Sequence, residues 1–153
     1  MEIKLFSTRP DKFDETVEHT NELFCFGNYE NPDFPFLYMA GGETLLIVAL
    51  VDNKVMGGIQ MSFNREGWLI EGVSTNDKPQ WCMQGIGVNP DYQNKGVAGK
   101  LIAKQFEIMK QFDIDNICQS SYTFEGMLYV MPLYQKFITE NPDINYLDFK
   151  RKF

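Results

Sequence analysis

The segment from Trp81 to Phe112 constrains this chain more than any other. Trp81 to Val88 reads as a strand, yet it carries Gly85 and Gly87, which weaken a regular strand and mark a bulge or a close backbone approach. Pro90 stops the pairing, and a polar turn follows through Asp91-Tyr92-Gln93-Asn94-Lys95. Val97, Leu101, Ile102, Phe106 and Met109 then recur at helical spacing between Gly96 and Phe112. A helix N-terminus exposes unpaired N–H groups and the positive end of its dipole. Ala98 and Gly99 are small enough to let a phosphate approach that backbone, and Lys95 and Lys100 add positive charge. The residues read as a pyrophosphate cradle.

Elements on either side define a mixed sheet with flanking helices. Residues 2–6 pass as a short strand. Ser7 or Thr8 offers an N-cap, Pro10 suits a first turn, and Phe13, Val17, Thr20 and Phe24 share one helical face, which predicts a first helix. Phe26, Tyr29, Phe34, Phe36 and Tyr38, set among Gly27, Pro32 and Pro35, predict an aromatic loop or short irregular helix. Thr44 to Val51 and Val55 to Phe63 are β-rich and joined by Asp52-Asn53-Lys54, an antiparallel hairpin. Trp68-Leu69-Ile70 is a candidate strand and Ser74 to Gln80 a loop. Ile114 to Tyr122 reads as a strand, Glu125 to Thr139 as a helix interrupted near Pro132, and Ile144 to Phe149 as a last strand. The order is β-α-β-β-(β)-β-α-β-α-β, with no linker or repeat, so residues 1–153 read as a single domain.

Composition narrows the chemistry. The net charge of −7 argues against nucleic acid held by a general basic surface. No apolar run approaches the roughly 20 residues of a membrane span. The start Met1-Glu2-Ile3-Lys4 lacks the features of a secretory signal, which points to a cytoplasmic location without membrane attachment. Cys25, Cys82 and Cys118 are widely spaced and form no CxxC metal site. His19 is the one histidine, so a zinc site with two histidines is impossible and a histidine-based triad would have to recruit this residue.

The turn is not a Walker loop, because Gly-Lys-Ser/Thr is absent, and it lacks the GxGxxG of a dinucleotide fold. Gln93-Asn94-Lys95-Gly96-Val97-Ala98 does satisfy the pattern Gln/Arg-x-x-Gly-x-Gly/Ala. With Val88-x-Pro90-x-Tyr92 before it and Leu101 after it, the segment resembles the coenzyme A-binding signature of the GNAT superfamily of N-acetyltransferases. The element order resembles that family over most of the chain. The resemblance implies an α/β (α+β) fold: a mixed, mostly antiparallel sheet with a splayed central parallel pair, flanked by helices.

It also implies acetyl-CoA as cosubstrate and a small-molecule or peptide amine as acceptor, attacked directly in a ternary complex; a homodimer is compatible with it. The backbone of Ile86, Gly87 and Val88, on the splayed strand, would bond the pantetheine arm. Gln93, Asn94, Lys95, Gly96, Val97, Ala98 and Gly99 would hold the pyrophosphate. A tyrosine on the helix after the next strand would protonate the departing thiolate. Tyr134 matches the family's Leu-Tyr-x-Lys pattern, while Tyr129 has the spacing from the strand closer to the family's. Five residues apart on a helix, they point about 140° apart. The family's asparagine before this helix is replaced by Ser120-Ser121-Tyr122-Thr123. Glu71 and Glu125 are the candidate bases, and Glu125 at a helix start is accounted for by the dipole alone.

Two other readings remain open at this point. One is a non-catalytic coenzyme A-binding or protein-interaction module of the same fold. The other is a longer-chain acyltransferase resembling acyl-homoserine lactone synthases, to which Gly57-Gly58-x-Gln60 followed by Glu71 bears a loose likeness.

Overall fold

In the computed structural model the described residues are 1–7, 13–19, 43–52, 54–64, 69–70, 73–74, 80–114, 116–119 and 128–148. Strands β1 (Glu2–Ser7), β2 (Val17–His19), β3 (Glu43–Val51), β4 (Lys54–Asn64), β7 (Gln80–Val88), β8 (Asn116–Gln119) and β9 (Asn145–Asp148) form one sheet in the order β2-β1-β3-β4-β7-β8-β9. A separate two-stranded ribbon pairs β5 (Leu69–Ile70) with β6 (Val73–Ser74). Helices α1 (Val97–Gln111) and α2 (Met131–Glu140) are described in full, and Leu128 and Tyr129 are helical just before α2.

The hairpin forms where the sequence places it. β3 and β4 pair antiparallel from Glu43↔Phe63 to Val51↔Lys54, and Asp52 takes a positive φ of 48° at the turn, a conformation Asp tolerates better than most residues. Residues Leu45 to Leu50 are buried on both faces of β3, as their nearly continuous aliphatic run requires. Leu45, Ile47 and Ala49 join the stripe of α1 formed by Val97, Leu101, Ile102, Phe106 and Met109 in one apolar cluster. Each fully buried Leu, Ile, Val, Phe or Met side chain here contributes about 1.5–3 kcal/mol, and this cluster fixes the helix against the sheet.

The helix expected from Ser7 towards Phe24 does not form over residues 13–19. Asp14 accepts the backbone N–H and hydroxyl of Thr16, and Val17 donates to the Asp14 carbonyl. That local turn competes with helix formation. Val17 is then buried as a strand residue and pairs parallel with Leu5, while His19 ends the strand exposed. Asp14 also accepts from Gln111 Nε2 at 2.8 Å, tying this turn to the end of α1. These bonds to Thr16, with that to Gln111, hold its carboxyl below the usual carboxylate range. The expected interruption near Pro132 is present: Leu128 and Tyr129 are helical, Val130 is a turn residue, and α2 begins at Met131. Pro132 lies in the first turn of α2, where its missing N–H has no helical acceptor to lose.

The central feature is the seam between β7 and β8. β7 pairs with β4 along its whole length, from Gln80↔Asn64 to Val88↔Gly57, with a register shift that leaves Gln84 as an extra residue. With β8 it pairs in parallel only through Trp81, Cys82 and Met83. The bulge begins where that parallel pairing ends. Beyond it, residues 84–88 have no strand partner on the β8 side among the described residues. No helix among those residues is long and apolar enough to cross a membrane.

Candidate functional site

The open edge of β7 has a defined polarity. Asn89 donates its N–H to the Met56 carbonyl at 2.7 Å, which places that position on the β4 side of the ladder. Residues alternate in an antiparallel ladder, so Gly87 and Gly85 also face β4, and Ile86 and Val88 turn their N–H and C=O groups away from it. Those groups line the splay. An extended chain with its own amides can add there as a further strand would.

The edge runs directly into the turn. Asn89 braces it twice: Oδ1 accepts from Asp91 N–H at 3.1 Å, and Nδ2 donates to the Val55 carbonyl at 3.3 Å. Pro90–Tyr92 forms a short 3-10 turn. Gln93 Nε2 reaches back to the Val88 carbonyl at 3.2 Å. Asn94 and Gly96 both take positive φ, 62° and 78°. A side chain at Gly96 is thus strained by the backbone itself, although the space around it is open.

Gly96 is the N-cap of α1 and has no side chain to cap the helix, and the first turn holds no acidic residue. The N–H groups of Val97, Ala98 and Gly99 have no intrahelical acceptor. A Cβ at Gly99 would meet nothing within 4 Å. Lys95 lies over the Tyr92 ring, 5.8 Å from its centroid, and Lys100 is exposed one residue beyond Gly99. In a chain of net charge −7, this is a local concentration of positive charge and free donors, suited to a phosphate group. The donor set fits the pyrophosphate of an acyl-CoA, and the open edge of Ile86 and Val88 fits an amide-bearing arm.

The close fit of strand and helix depends on Gly57. A Cβ there would lie 2.7 Å from the Gly87 carbonyl oxygen, 3.2 Å from Val88 Cα and 3.4 Å from Leu101 Cδ1. Nothing in the sequence pattern singled Gly57 out for this role. Asn89 and its Asx turn were legible in principle from Asn-Pro-Asp.

The two tyrosines lie in opposite environments. Tyr129 is 70% exposed, and Tyr134 is 1% exposed within the cluster that includes Phe106. The Tyr134 hydroxyl donates to Gln105 Oε1 of α1 at 2.5 Å. Gln105 is fully buried, and its Nε2 has no hydrogen-bond partner among the described residues. A neutral hydrogen bond contributes about 0.5–1.5 kcal/mol net, whereas an unpaired buried donor costs about 1–3 kcal/mol. As a device for stability, the pair therefore gains little at best and over most of these ranges costs.

Glu71, Glu125, Trp68, Cys25 and the aromatic segment 24–38 lie outside the described residues. Cys82 and Cys118 are in-register partners on β7 and β8.

The acetyltransferase (GNAT) family model matches residues 11–137, and the chain belongs to that family. No curated protein matches it significantly. Among solved structures it is similar to an aminoglycoside acetyltransferase from an uncultured soil metagenomic sample, with 18% identity and a TM-score of 0.46 over 61% of this chain and 55% of that one. It is also similar to an aminoglycoside 6'-N-acetyltransferase from Acinetobacter haemolyticus, with 24% identity and a TM-score of 0.43 over 57% and 58% of the two chains. A third is a protein described as a predicted acetyltransferase, with acetyl-CoA, from Clostridium acetobutylicum. It has 17% identity and a TM-score of 0.46 over 61% and 56%. The matched region thus spans little more than half of each of these proteins.

Proposed function

We propose that this chain transfers an acetyl or other short acyl group from acyl-CoA to a primary amine, and that residues 1–153 act as one domain in doing so. The observation that supports this most is a junction. The open backbone edge at Ile86 and Val88 leads, through a turn braced by Gln93 and Asn89, to the uncapped N-terminus of α1. An amide-bearing arm ending in phosphates matches both halves.

In this reading the backbone of Ile86, Gly87 and Val88 orients the arm, and Gln93 to Gly99 receive the pyrophosphate. Tyr134 gives its hydroxyl proton to sulfur as the C–S bond breaks, with Tyr129 the alternative donor. The Leu133-Tyr134-Gln135-Lys136 pattern supports Tyr134 over Tyr129. Glu71 takes the proton the attacking amine sheds. The acceptor is an amine that is cationic in solution, such as a polyamine, an amino sugar or a peptide N-terminus, in keeping with a net charge of −7. The same charge disfavours nucleic acid, and the protein acts in the cytoplasm.

The test is thiol release from acetyl-CoA with spermidine, glucosamine and a short peptide, with the acetylated product identified by mass. Amine-dependent release is expected. Tight acetyl-CoA binding without release for any amine would make the chain a non-catalytic binding module.

A further inference from the structure

We infer that Gln105 is a positioning residue for proton transfer by Tyr134; the inference rests on the reading of Tyr134 as the proton donor. Gln105 stands in the apolar stripe of α1, fully buried among Leu101, Ile102, Phe106 and Met109. Leucine or methionine would fill that position without an unsatisfied amide. Instead, Oε1 accepts the Tyr134 hydroxyl and Nε2 is left without a partner among the described residues. A buried donor kept at a cost is a sign of use in another state.

Proton transfer supplies that state. When the hydroxyl proton moves to sulfur, the tyrosine oxygen becomes an anion that can only accept. Phenol and thiol differ by about 1.5 units in ordinary pKa, so the transfer is about thirtyfold uphill without help. Rotating the Gln105 carboxamide by half a turn exchanges acceptor for donor at the same place. Nε2–H then donates to the oxygen it formerly served as acceptor, in a charge-assisted bond stronger than the one it replaces. Gln105 thus holds the phenol while its proton is in place and stabilises it once the proton has left. The bonding pair of the broken C–S bond goes to sulfur with the phenolic proton; Glu71 releases the proton it took from the amine to water, and the phenolate regains a proton from water before the next turnover. Gln105 itself neither gains nor loses a proton. It lies nine residues along α1 from Gly96, about 13 Å at the helical rise, far from the phosphate end of the site.

The test compares Gln105→Met, Gln105→Leu, Tyr134→Phe and the double variant Gln105→Met/Tyr134→Phe, using acetyl-CoA and the amine of the panel that turns over fastest. Both Gln105 variants should lower kcat about 10- to 50-fold, with acetyl-CoA affinity within about threefold of wild type. Their Tm should stay within a few degrees of wild type, since the orphan amide is gone while the Tyr134 hydroxyl loses its Gln105 acceptor. A merely structural glutamine would leave kcat in place whatever the change in Tm. The double variant should be no slower than Tyr134→Phe alone, because Gln105 acts only through that hydroxyl. A more acidic fluorotyrosine at position 134 should recover part of the rate lost in Gln105→Met. Wild-type kcat in both Gln105 variants, beside a slow Tyr134→Phe, overturns this inference and leaves the tyrosine reading intact. Losses that multiply in the double variant also overturn it. A fast Tyr134→Phe overturns the tyrosine reading itself, and this inference with it.

Discussion

Gln93 Nε2 donates to the Val88 carbonyl at 3.2 Å, so the first residue of the coenzyme A signature holds the end of the strand that leads into it. The segment is thus a mechanical link, and under the proposed function a ligand surface as well. The side chain is exposed, and the bond contributes about 0.5–1.5 kcal/mol. Gln93→Ala should therefore unfold within a few degrees of wild type yet bind acetyl-CoA several-fold more weakly, because the edge and the turn are no longer held in register. Calorimetry and a thermal melt on the same sample check both halves. Unchanged affinity would mean that the link does not organise the site.

Two glycines should respond in opposite ways to the same methyl group. Gly57→Ala drives a Cβ to 2.7 Å from the Gly87 oxygen, which is backbone and cannot move aside cheaply. The expected loss is about 1–3 kcal/mol, read from a denaturant midpoint. At Gly99 the methyl meets nothing within 4 Å, and alanine is up to about 1 kcal/mol better than glycine within a helix. Gly99→Ala should raise the Tm of the free protein by about 2–4 °C and, under the proposed function, weaken acetyl-CoA binding, since the methyl would stand in the path of the phosphate.

Much of this frame was legible in the sequence. The hairpin was readable because Asp52-Asn53 interrupts two β-rich runs, and α1 because its stripe keeps the helical period over fifteen residues. The stretch at Phe13 and Val17 was not. A four-residue spacing is common to a helical face and to a turn followed by a strand, and the Asp14–Thr16 bonds decided between them. Gln105 was invisible for a different reason. Its meaning comes from a partner 29 residues away, and a single glutamine in an apolar stripe leaves no local signature.

The tyrosines separate by kinetics. Tyr134→Phe should lose roughly 10²–10⁴-fold in kcat while holding acetyl-CoA as wild type does. Single-turnover rates with saturating acetyl-CoA measure this directly. A loss of that size in Tyr129→Phe instead would move the proton donor to the exposed residue.

The acceptor should show its charge. An amine attacks as the free base, so rates at subsaturating amine should rise between about pH 6 and pH 9 as that fraction grows. Spermidine should outcompete glutamate, and added salt should raise the KM for spermidine through screening. Preference for acidic amino acids with a salt-insensitive KM would replace this acceptor class and leave the cosubstrate unaffected.

The central claim is that acyl-CoA binds at the start of α1, and Gly96 tests it most directly. Glutamate there must adopt a φ near 78° and brings a negative charge to a helix end that has no acidic residue in its first turn. Wild-type protein should show a rise in Tm that grows with acetyl-CoA concentration, as mass action requires. Gly96→Glu, shown by circular dichroism to be folded, should show none up to millimolar ligand. An equal rise in both proteins would place the cosubstrate elsewhere, and no rise in wild type would contradict the account altogether.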